Sequence, residues 1–320
     1  MSKNYEDAVS VMKEVSKAVT GKNRQIKKAF AAILAGGHIL IEDVPGVGKT
    51  TLALAFSKAM KLKSNRVQFT PDVLPSDILG FSMYRKETGT FEFHPGTVMC
   101  NLFLADEINR TSPKTQSALL EVMEEGMVTV DGVTHEVPSP FFVIATQNPK
   151  GSAGTQLLPE SQLDRFMICM SMGYPDLKHE INIAKGKAVT GNVDAVGEII
   201  DGNTLSAIQK EVDTVHVQGI IYEYIANLIQ ETRNNTYIDL GVSPRGTIAC
   251  AQMAKANAFL DGRDYVIPSD VTGIFLDVAK HRVVMNTKAR VAKITPENVL
   301  GEILRGVRIP ASYSERKSNA

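Results

Sequence analysis

The chain is short of three things: net charge, long apolar runs and cysteine. Lys and Arg together number 35, as do Asp and Glu, so the formal charge at neutral pH is zero. Without a global basic field there is no long-range attraction for nucleic acid or anionic membrane, although a local basic patch is compatible with this balance. No apolar run approaches the roughly 20 residues needed to span a bilayer, and no basic start precedes an apolar segment. Neither membrane insertion nor a secretory leader is expected. Cys100, Cys169 and Cys250 are scattered, odd in number and without metal-ligand spacing. They read as buried apolar residues in a reducing cytoplasm rather than as a disulfide framework. What is present is an ordinary globular composition, 43% hydrophobic and 22% charged over 320 residues, enough for a large core and two domains of unequal size.

The most informative stretch is Ile39–Thr51, Ile-Leu-Ile-Glu-Asp-Val-Pro-Gly-Val-Gly-Lys-Thr-Thr. An apolar segment of strand length passes through a Gly/Pro turn into Leu52, Ala55, Phe56, Ala59 and Met60 at helical spacing, so a helix is expected from Lys49 or Thr50. Strand, glycine loop and helix in that order make a phosphate cradle: loop N–H groups and the helix N-terminus present donors and partial positive charge to an anion. Pro45, Gly46, Val47, Gly48, Lys49, Thr50 and Thr51 are the candidate nucleotide-binding residues. Lys49 would reach the β- and γ-phosphates, and Thr50 would place its hydroxyl on Mg²⁺. One departure stands out. The glycine usual at the start of such a loop is replaced by Asp43, whose carboxylate is tolerable only if it points away or caps a neighbouring N–H.

Leu102–Glu107, Leu-Phe-Leu-Ala-Asp-Glu, reads as a buried parallel strand delivering two acids to the crevice where open α/β sheets bind ligands. Asp106 would hold Mg²⁺, directly or through water, and Glu107 would orient and deprotonate an attacking water. Phe141–Asn148 is a further buried strand. Asn148 would either hydrogen-bond the γ-phosphate or the attacking water, or make a simple strand-end turn before Pro149. In Leu163-Asp164-Arg165-Phe166, Arg165 would either point at a neighbouring subunit's nucleotide or form an intrachain ion pair with Asp164 or another carboxylate.

Around these motifs, Val9, Met12, Val15 and Val19 suggest one helix, and Ile26, Ala29, Phe30, Ile33 and Leu34 a second, stopped by Gly36-Gly37. Arg66–Thr70 is a candidate strand, after which Pro71, Pro75 and Gly80 break the pattern. Two hairpins are expected: Ser82–Lys86 with Thr90–His94 about Gly89, and Val128–Thr134 about Asp131-Gly132. Tyr84, Phe91 and Phe93 on the first would either pack or grip a client. Ser112-Pro113 opens a helix closed by Gly126. Beyond Gly173–Asp176 the pattern turns helical over Ile199–Val212, Ile220–Arg233, Arg245–Leu260 and Val271–Arg282. Ser243-Pro244 caps the third of these, placing Arg245 in a first turn where its charge opposes the helix dipole. That misfit suggests a nearby anion, whether a phosphate or a carboxylate. Domains are expected at 1–176 (nucleotide-binding α/β core), 177–310 (helical) and 311–320 (a frayed tail).

With these motifs in place, the chain resembles the MoxR-type AAA+ ATPases over about residues 5–310. The resemblance rests on Gly46–Thr51, Asp106-Glu107 with Ile108-Asn109-Arg110, Gln116–Glu125, Ala145–Pro149, Leu163–Phe166 and Ser243-Pro244-Arg245. It implies a P-loop NTPase fold, a three-layer α/β/α core with a five-stranded parallel sheet and a smaller all-α lid. It also implies ATP and Mg²⁺, and assembly into homo-oligomeric rings, usually hexamers. Asn148 then corresponds to the sensor-1 residue, Arg165 to an arginine finger acting in trans, and Arg245 to the sensor-2 arginine of the lid. Related proteins act as chaperones that mature or reactivate client proteins, often with a partner containing a von Willebrand A-type domain. Two rivals remain: a DNA-remodelling ring, disfavoured because the 128–137 hairpin carries Asp131, His135 and Glu136 but no Lys or Arg, and a nucleotide-switched scaffold without turnover.

Overall fold

In the computed structural model, residues 2–44, 46–147, 158–174, 180–181, 185 and 193–310 are described. Pro45, Asn148 and the tail after residue 310 therefore lie outside the described residues. The elements, in chain order, begin with α1 (Lys3–Ala18), α2 (Asn23–Leu34), β1 (Ile39–Glu42), α3 (Lys49–Ala59) and β2 (Ser64–Gln68). There follow α4 (Pro75–Leu79), the hairpin β3 (Gly80–Arg85) and β4 (Thr90–Pro95), and β5 (Leu102–Asp106). Next come α5 (Pro113–Glu125), the hairpin β6 (Met127–Val130) and β7 (Val133–Glu136), β8 (Phe142–Gln147), α6 (Glu160–Leu163) and β9 (Ile168–Met170).

The central sheet has five strands in the order β2-β5-β8-β1-β9, every neighbouring pair parallel. Because side chains alternate across a pleated strand, each apolar run supplies both faces of the sheet. Ile39, Ile41, Leu102, Leu104, Phe142, Ile144, Ile168 and Met170 point into one apolar cluster with α1, α2 and α3. Leu40, Phe103, Ala105, Val143, Ala145 and Cys169 point into the other, with Leu119, Leu120 and Met123 of α5. Burial on both faces is why these runs read as continuously apolar rather than alternating.

The C-terminal part contains α7 (Gly202–Asp213), α8 (Gly219–Asn234), α9 (Pro244–Leu260), α10 (Pro268–Ala279), α11 (Thr287–Val291) and α12 (Pro296–Gly306), with a ribbon of β10 (Ile238–Leu240) and β11 (Val284–Met285). Its apolar residues, among them Leu228, Cys250, Met253 and Phe275, belong to the same cluster as α1 and α2. The helical lid is thus packed into the core beside the sheet rather than joined to it only by a linker.

Three expectations are corrected. The buried stripe of α1 is Ala8, Val11, Val15 and Ala18, whereas Val9 is exposed; apolar spacing gives the period, but small alanines facing the neighbouring helices set the phase. Pro75 does not break the chain but opens α4, at the first helical position where its missing N–H costs nothing, with Asp77 accepting from Leu74 N–H at 2.9 Å. The first strand after α3 begins at Ser64 rather than Arg66. Both hairpins and both glycine stops occur as expected, Gly89 at φ 68°, Gly126 at φ 67° and the Asp131-Gly132 turn at φ 50° and 79°. All three cysteines are buried and free.

His38, just before β1, ties the sheet to α5. Its Nδ1 accepts from Val143 N–H at 3.0 Å, so the proton must sit on Nε2, which donates to Met123 O at 2.9 Å. Burial pushes this imidazole down from 6.5 to about 4. The unfolded chain therefore takes up a proton that the folded chain refuses. The associated stability is complete above pH 6.5 and is lost as pH falls toward 4, by roughly 3 kcal/mol. Urea denaturation across pH 4–7 is expected to show a shallower loss in His38→Gln than in the unsubstituted chain. Equal slopes would remove His38 from this role.

Candidate nucleotide site

The site assembles where β1, β5 and β8 end together. Parallel pairing places Leu104 opposite Ile144 and Ala105 opposite Ala145, while Glu42 lies beside Gln147 and Gln68 beside Asp106. The loop after β1 and the acids after β5 therefore reach the same edge, separated only by the end of β8. Gly46 and Gly48 take φ of 88° and 93°, left-handed angles open to glycine at little cost, and a Cβ at Gly46 would meet nothing within 4 Å. Lys49 opens α3 and is largely buried, its Nζ donating to Asp43 O at 2.7 Å. Burial holds its ammonium below the ordinary lysine range, against the opposing pull of Asp43, Asp106 and Glu107.

Asp43 resolves the departure noted above. Its carboxylate turns away from the loop: Oδ1 accepts from Val44 N–H at 3.0 Å, and Oδ2 from Ser171 Oγ and Gly173 N–H, both at 2.8 Å. A residue that looks hostile to phosphate instead braces the loop against the segment following β9.

Asp106 is buried at the end of β5. Oδ1 lies 3.3 Å from the Thr146 hydroxyl, and Oδ2 lies 3.5 Å from Thr50 Oγ1 and 2.7 Å from Arg66 Nε. Among the described residues no group of three His, Cys, Asp or Glu side chains could hold a metal. Mg²⁺ takes one or two protein oxygens and completes its shell with phosphate and water. Thr50 and Asp106, hard oxygen donors side by side, fit that ion.

Glu107 follows in the left-handed region, φ 57° and ψ 47°, a backbone state costing about 1–3 kcal/mol for a residue with a side chain. Its N–H donates to Thr146 Oγ1 at 2.9 Å, and Arg110 Nε lies 2.9 Å from its Oε2. Gln116 of α5, buried, donates to Ile108 O at 3.1 Å and Thr111 O at 3.4 Å, holding the turn that follows. Neither Thr146 nor Gln116 stood out as a site residue in the sequence. Their signal was only polarity inside an apolar strand and inside an apolar helix face.

Arg165 and Arg245 are elsewhere. Arg165 Nη1 lies 2.8 Å from Glu124 Oε2, and Arg245 Nη2 pairs with Glu124 Oε1. Both line a cavity of about 260 Å³ with Gly36, Gly37, His38 and Glu124, at the N-terminal end of β1. β1 is four residues long, so its ends lie about 13 Å apart, and the phosphate loop follows the opposite end. Arg245, expected among the nucleotide-binding residues, here shares a carboxylate with Arg165, and both stand away from Lys49.

A residue that sequence reasoning missed altogether, Arg282, holds this corner together. Its side chain is buried, with Nε 2.7 Å from Asp164 Oδ1, Nη2 donating to Asp164 O at 3.1 Å and Phe166 O at 2.6 Å, and Nη1 donating to Met167 O at 3.0 Å. Burial lowers its guanidinium from the ordinary arginine value while Asp164 raises it. An arginine at the end of an amphipathic helix looks like any solvated charge until tertiary packing closes over it.

Comparisons with known proteins give the family. The profile of the ATPase family associated with various cellular activities (AAA) matches residues 38–168, and that of the AAA lid domain matches residues 230–303. Chaperone MoxR1 of Mycobacterium tuberculosis is 36% identical over 306 residues, spanning 93% of this chain and 81% of that one. The chain belongs to the MoxR family of AAA+ ATPases. The uncharacterised protein YeaC of Bacillus subtilis is 44% identical over 303 residues, 95% of each chain. A solved structure of a Cytophaga hutchinsonii protein, provisionally assigned as an ATPase, superposes with a TM-score of 0.86 at 37% identity, covering 96% of both chains.

Thr146 offers the sharpest local test of how this MoxR-family chain holds its two acids. Thr146→Val keeps the shape but removes the hydroxyl between Asp106 and the Glu107 N–H. A stability loss of about 1–3 kcal/mol is expected in chemical denaturation, together with slowed phosphate release and retained nucleotide binding. Unchanged turnover would show that the hydroxyl does not hold the acids in place.

Proposed function

We propose that the chain hydrolyses ATP with Mg²⁺ at the interface between neighbouring copies in a ring, hexameric by family resemblance, and uses the cycle to remodel client proteins in the cytoplasm. The observation that carries this reading is the meeting of Lys49, Thr50, Asp106 and Glu107 at one sheet edge while Arg165 and Arg245 stand together at the other. One subunit thus offers a phosphate cradle with a base, and on a separate face two arginines with no nucleotide site of their own chain beside them.

The loop from Gly46 to Thr51 and the start of α3 bind the phosphates, with Lys49 giving up the Asp43 carbonyl to do so. Thr50 and Asp106 would hold Mg²⁺, which when bound neutralises charge on the phosphate oxygens. Glu107, freed from Arg110, orients water and accepts its proton. Arg165, with Arg245 beside it, meets the γ-phosphoryl of the adjacent copy. In the best-studied nucleotide hydrolases such an arginine contributes about 10³–10⁵-fold in rate. Because Arg245 stands with Arg165 at the end of β1 opposite the phosphate loop, loss of γ-phosphate is transmitted to the lid across the subunit interface. Asn148 retains its proposed sensor-1 role on the strength of following β8, whose end lies between the loop and the acids.

Glu107→Gln is expected to bind a fluorescent ATP analogue normally and to lose phosphate release. Arg165→Ala is expected to do the same, and mixing the two variants should restore turnover at interfaces that combine an intact base with an intact arginine. Absence of rescue would refute action across the interface. A client protein, with or without a von Willebrand A-type partner, follows from family resemblance. Nucleic acid is disfavoured: Arg85 of the β3–β4 hairpin is already paired with Glu92, and β6–β7 has no Lys or Arg. Neither single- nor double-stranded DNA is expected to stimulate phosphate release; a several-fold stimulation would favour the DNA-remodelling alternative.

A further inference from the structure

Asp164 lies at a junction that the hydrolytic scheme has not used. Its Oδ2 accepts from Ser243 Oγ at 2.8 Å while its Oδ1 pairs with Arg282 Nε at 2.7 Å, so a single carboxylate is gripped twice by the lid. On one side it adjoins Arg165 directly along the chain. On the other, Ser243 is the N-cap of α9, its hydroxyl also accepting from Arg245 N–H at 3.1 Å. The two arginines, 80 residues apart in sequence, thus spring from backbone positions joined by one acid. Arg282 closes the joint from behind by donating to the carbonyls of Asp164, Phe166 and Met167.

We infer that Asp164, Ser243 and Arg282 are positioning residues that set the separation of Arg165 and Arg245, making the pair a preformed two-pronged clamp for an anion on a neighbouring copy. This rests on the reading that Arg165 acts across the subunit interface. The two prongs differ from ordinary surface arginines in their anchorage. Among the described residues their part-exposed guanidinium groups meet Glu124 and the Leu120 carbonyl, free to exchange, whereas their backbones are tied to Asp164 and Ser243, which the buried Arg282 backs. Arginine has many rotamers, and a clamp with fixed roots loses less freedom on closing than two independent side chains. Lid and core then approach a neighbour as one body, because moving the Lys280–Arg282 turn of the lid away from the Asp164–Met167 segment would strand the buried Arg282 charge.

The experiment uses the full chain and five variants. Ser243→Ala removes one grip on Asp164 and leaves the Arg282 pair in place. It is expected to bind fluorescent ATP analogue with unchanged affinity, to keep KM, and to lose kcat by about ten- to a hundredfold, the scale of an ångström of misplacement. Ser243→Thr, which keeps the hydroxyl, should recover most of it. Mixing Ser243→Ala with Glu107→Gln copies should restore turnover, because the latter supply intact clamps to the former's intact cradles; a fault confined to the variant's own fold would not be rescued in this way. Unchanged kcat in Ser243→Ala, or a loss that mixing fails to restore, overturns the inference. Asp164→Asn is expected to give the same pattern more strongly, and if it fails to fold, Ser243→Ala decides alone. The Arg165→Ala mixture with Glu107→Gln runs alongside: rescue there without rescue of Ser243→Ala rejects the clamp only, and no rescue in either rejects the interfacial reading itself.

Discussion

Strands buried on both faces have nowhere to put charge except at their ends, and this constraint organises the chain. β1, β5 and β8 carry almost nothing but apolar side chains between the two clusters. Their polar residues come only at the C-terminal edge, where Glu42 lies beside Gln147 and Asp106 beside Gln68 through the parallel register. Insertion of β8 between β1 and β5 gives the edge its chemistry. It sets the glycine loop and the acid pair one strand apart, and its Thr146 hydroxyl fills the gap, meeting the Asp106 carboxylate and the Glu107 N–H together. A β1–β5 pairing without β8 would leave the strained turn at Glu107 without its hydrogen-bonding partner.

The opposite edge is reached through α5. This helix has 13 residues, about 20 Å of rigid length. Its first turns hold the Ile108–Thr111 turn through Gln116, while Leu120 and Glu124 near its other end hold Arg165 and Arg245. His38 bonds the α5 carbonyl at Met123 to the start of β8, so the helix cannot slide along the sheet. On the proposed interfacial reading, the turn carrying the base and the arginines offered to a neighbouring copy would be two ends of one strut, giving one site a direct mechanical route to the next.

The loop, the acids, both hairpins, the parallel sheet and the helical lid were legible because each is written locally. Glycine followed by Lys-Thr, an apolar run ending in Asp-Glu, Asp-Gly between alternating strands, and Ser-Pro before a helix each depend on a few neighbours in sequence. What could not be read depends on partners far along the chain. Asp43 looked misplaced because its partners, Ser171 and Gly173, lie more than a hundred residues away. Arg282 looked like a solvated charge because its partners lie in the Asp164–Met167 segment. The helical stripe of α1 was mis-phased because alanine counts for little in a hydrophobic pattern yet decides how closely helices approach. Arg165 was left open between a phosphate and a carboxylate, and in this structure its partner is the carboxylate of Glu124.

That last pairing belongs to a wider pattern. Arg66 meets Asp106, Arg110 meets Glu107, and Arg165 and Arg245 meet Glu124. Every one of these arginine side chains is about a third to a half exposed, and ion pairs so solvated contribute only about 0–1 kcal/mol. Such contacts keep charges satisfied without holding them. On the proposed reading, a bound triphosphate would displace Arg66 and Arg110 from the acids and an adjacent phosphate would draw two arginines from one glutamate, each release costing little. The Asp164–Arg282 pair is of another kind, buried and bonded on nearly every side, where removal of one partner costs about 3–5 kcal/mol. The chain thus places weak, exchangeable ion pairs beside the candidate nucleotide site and on the two clustered arginines, and a strong one where the lid meets the core.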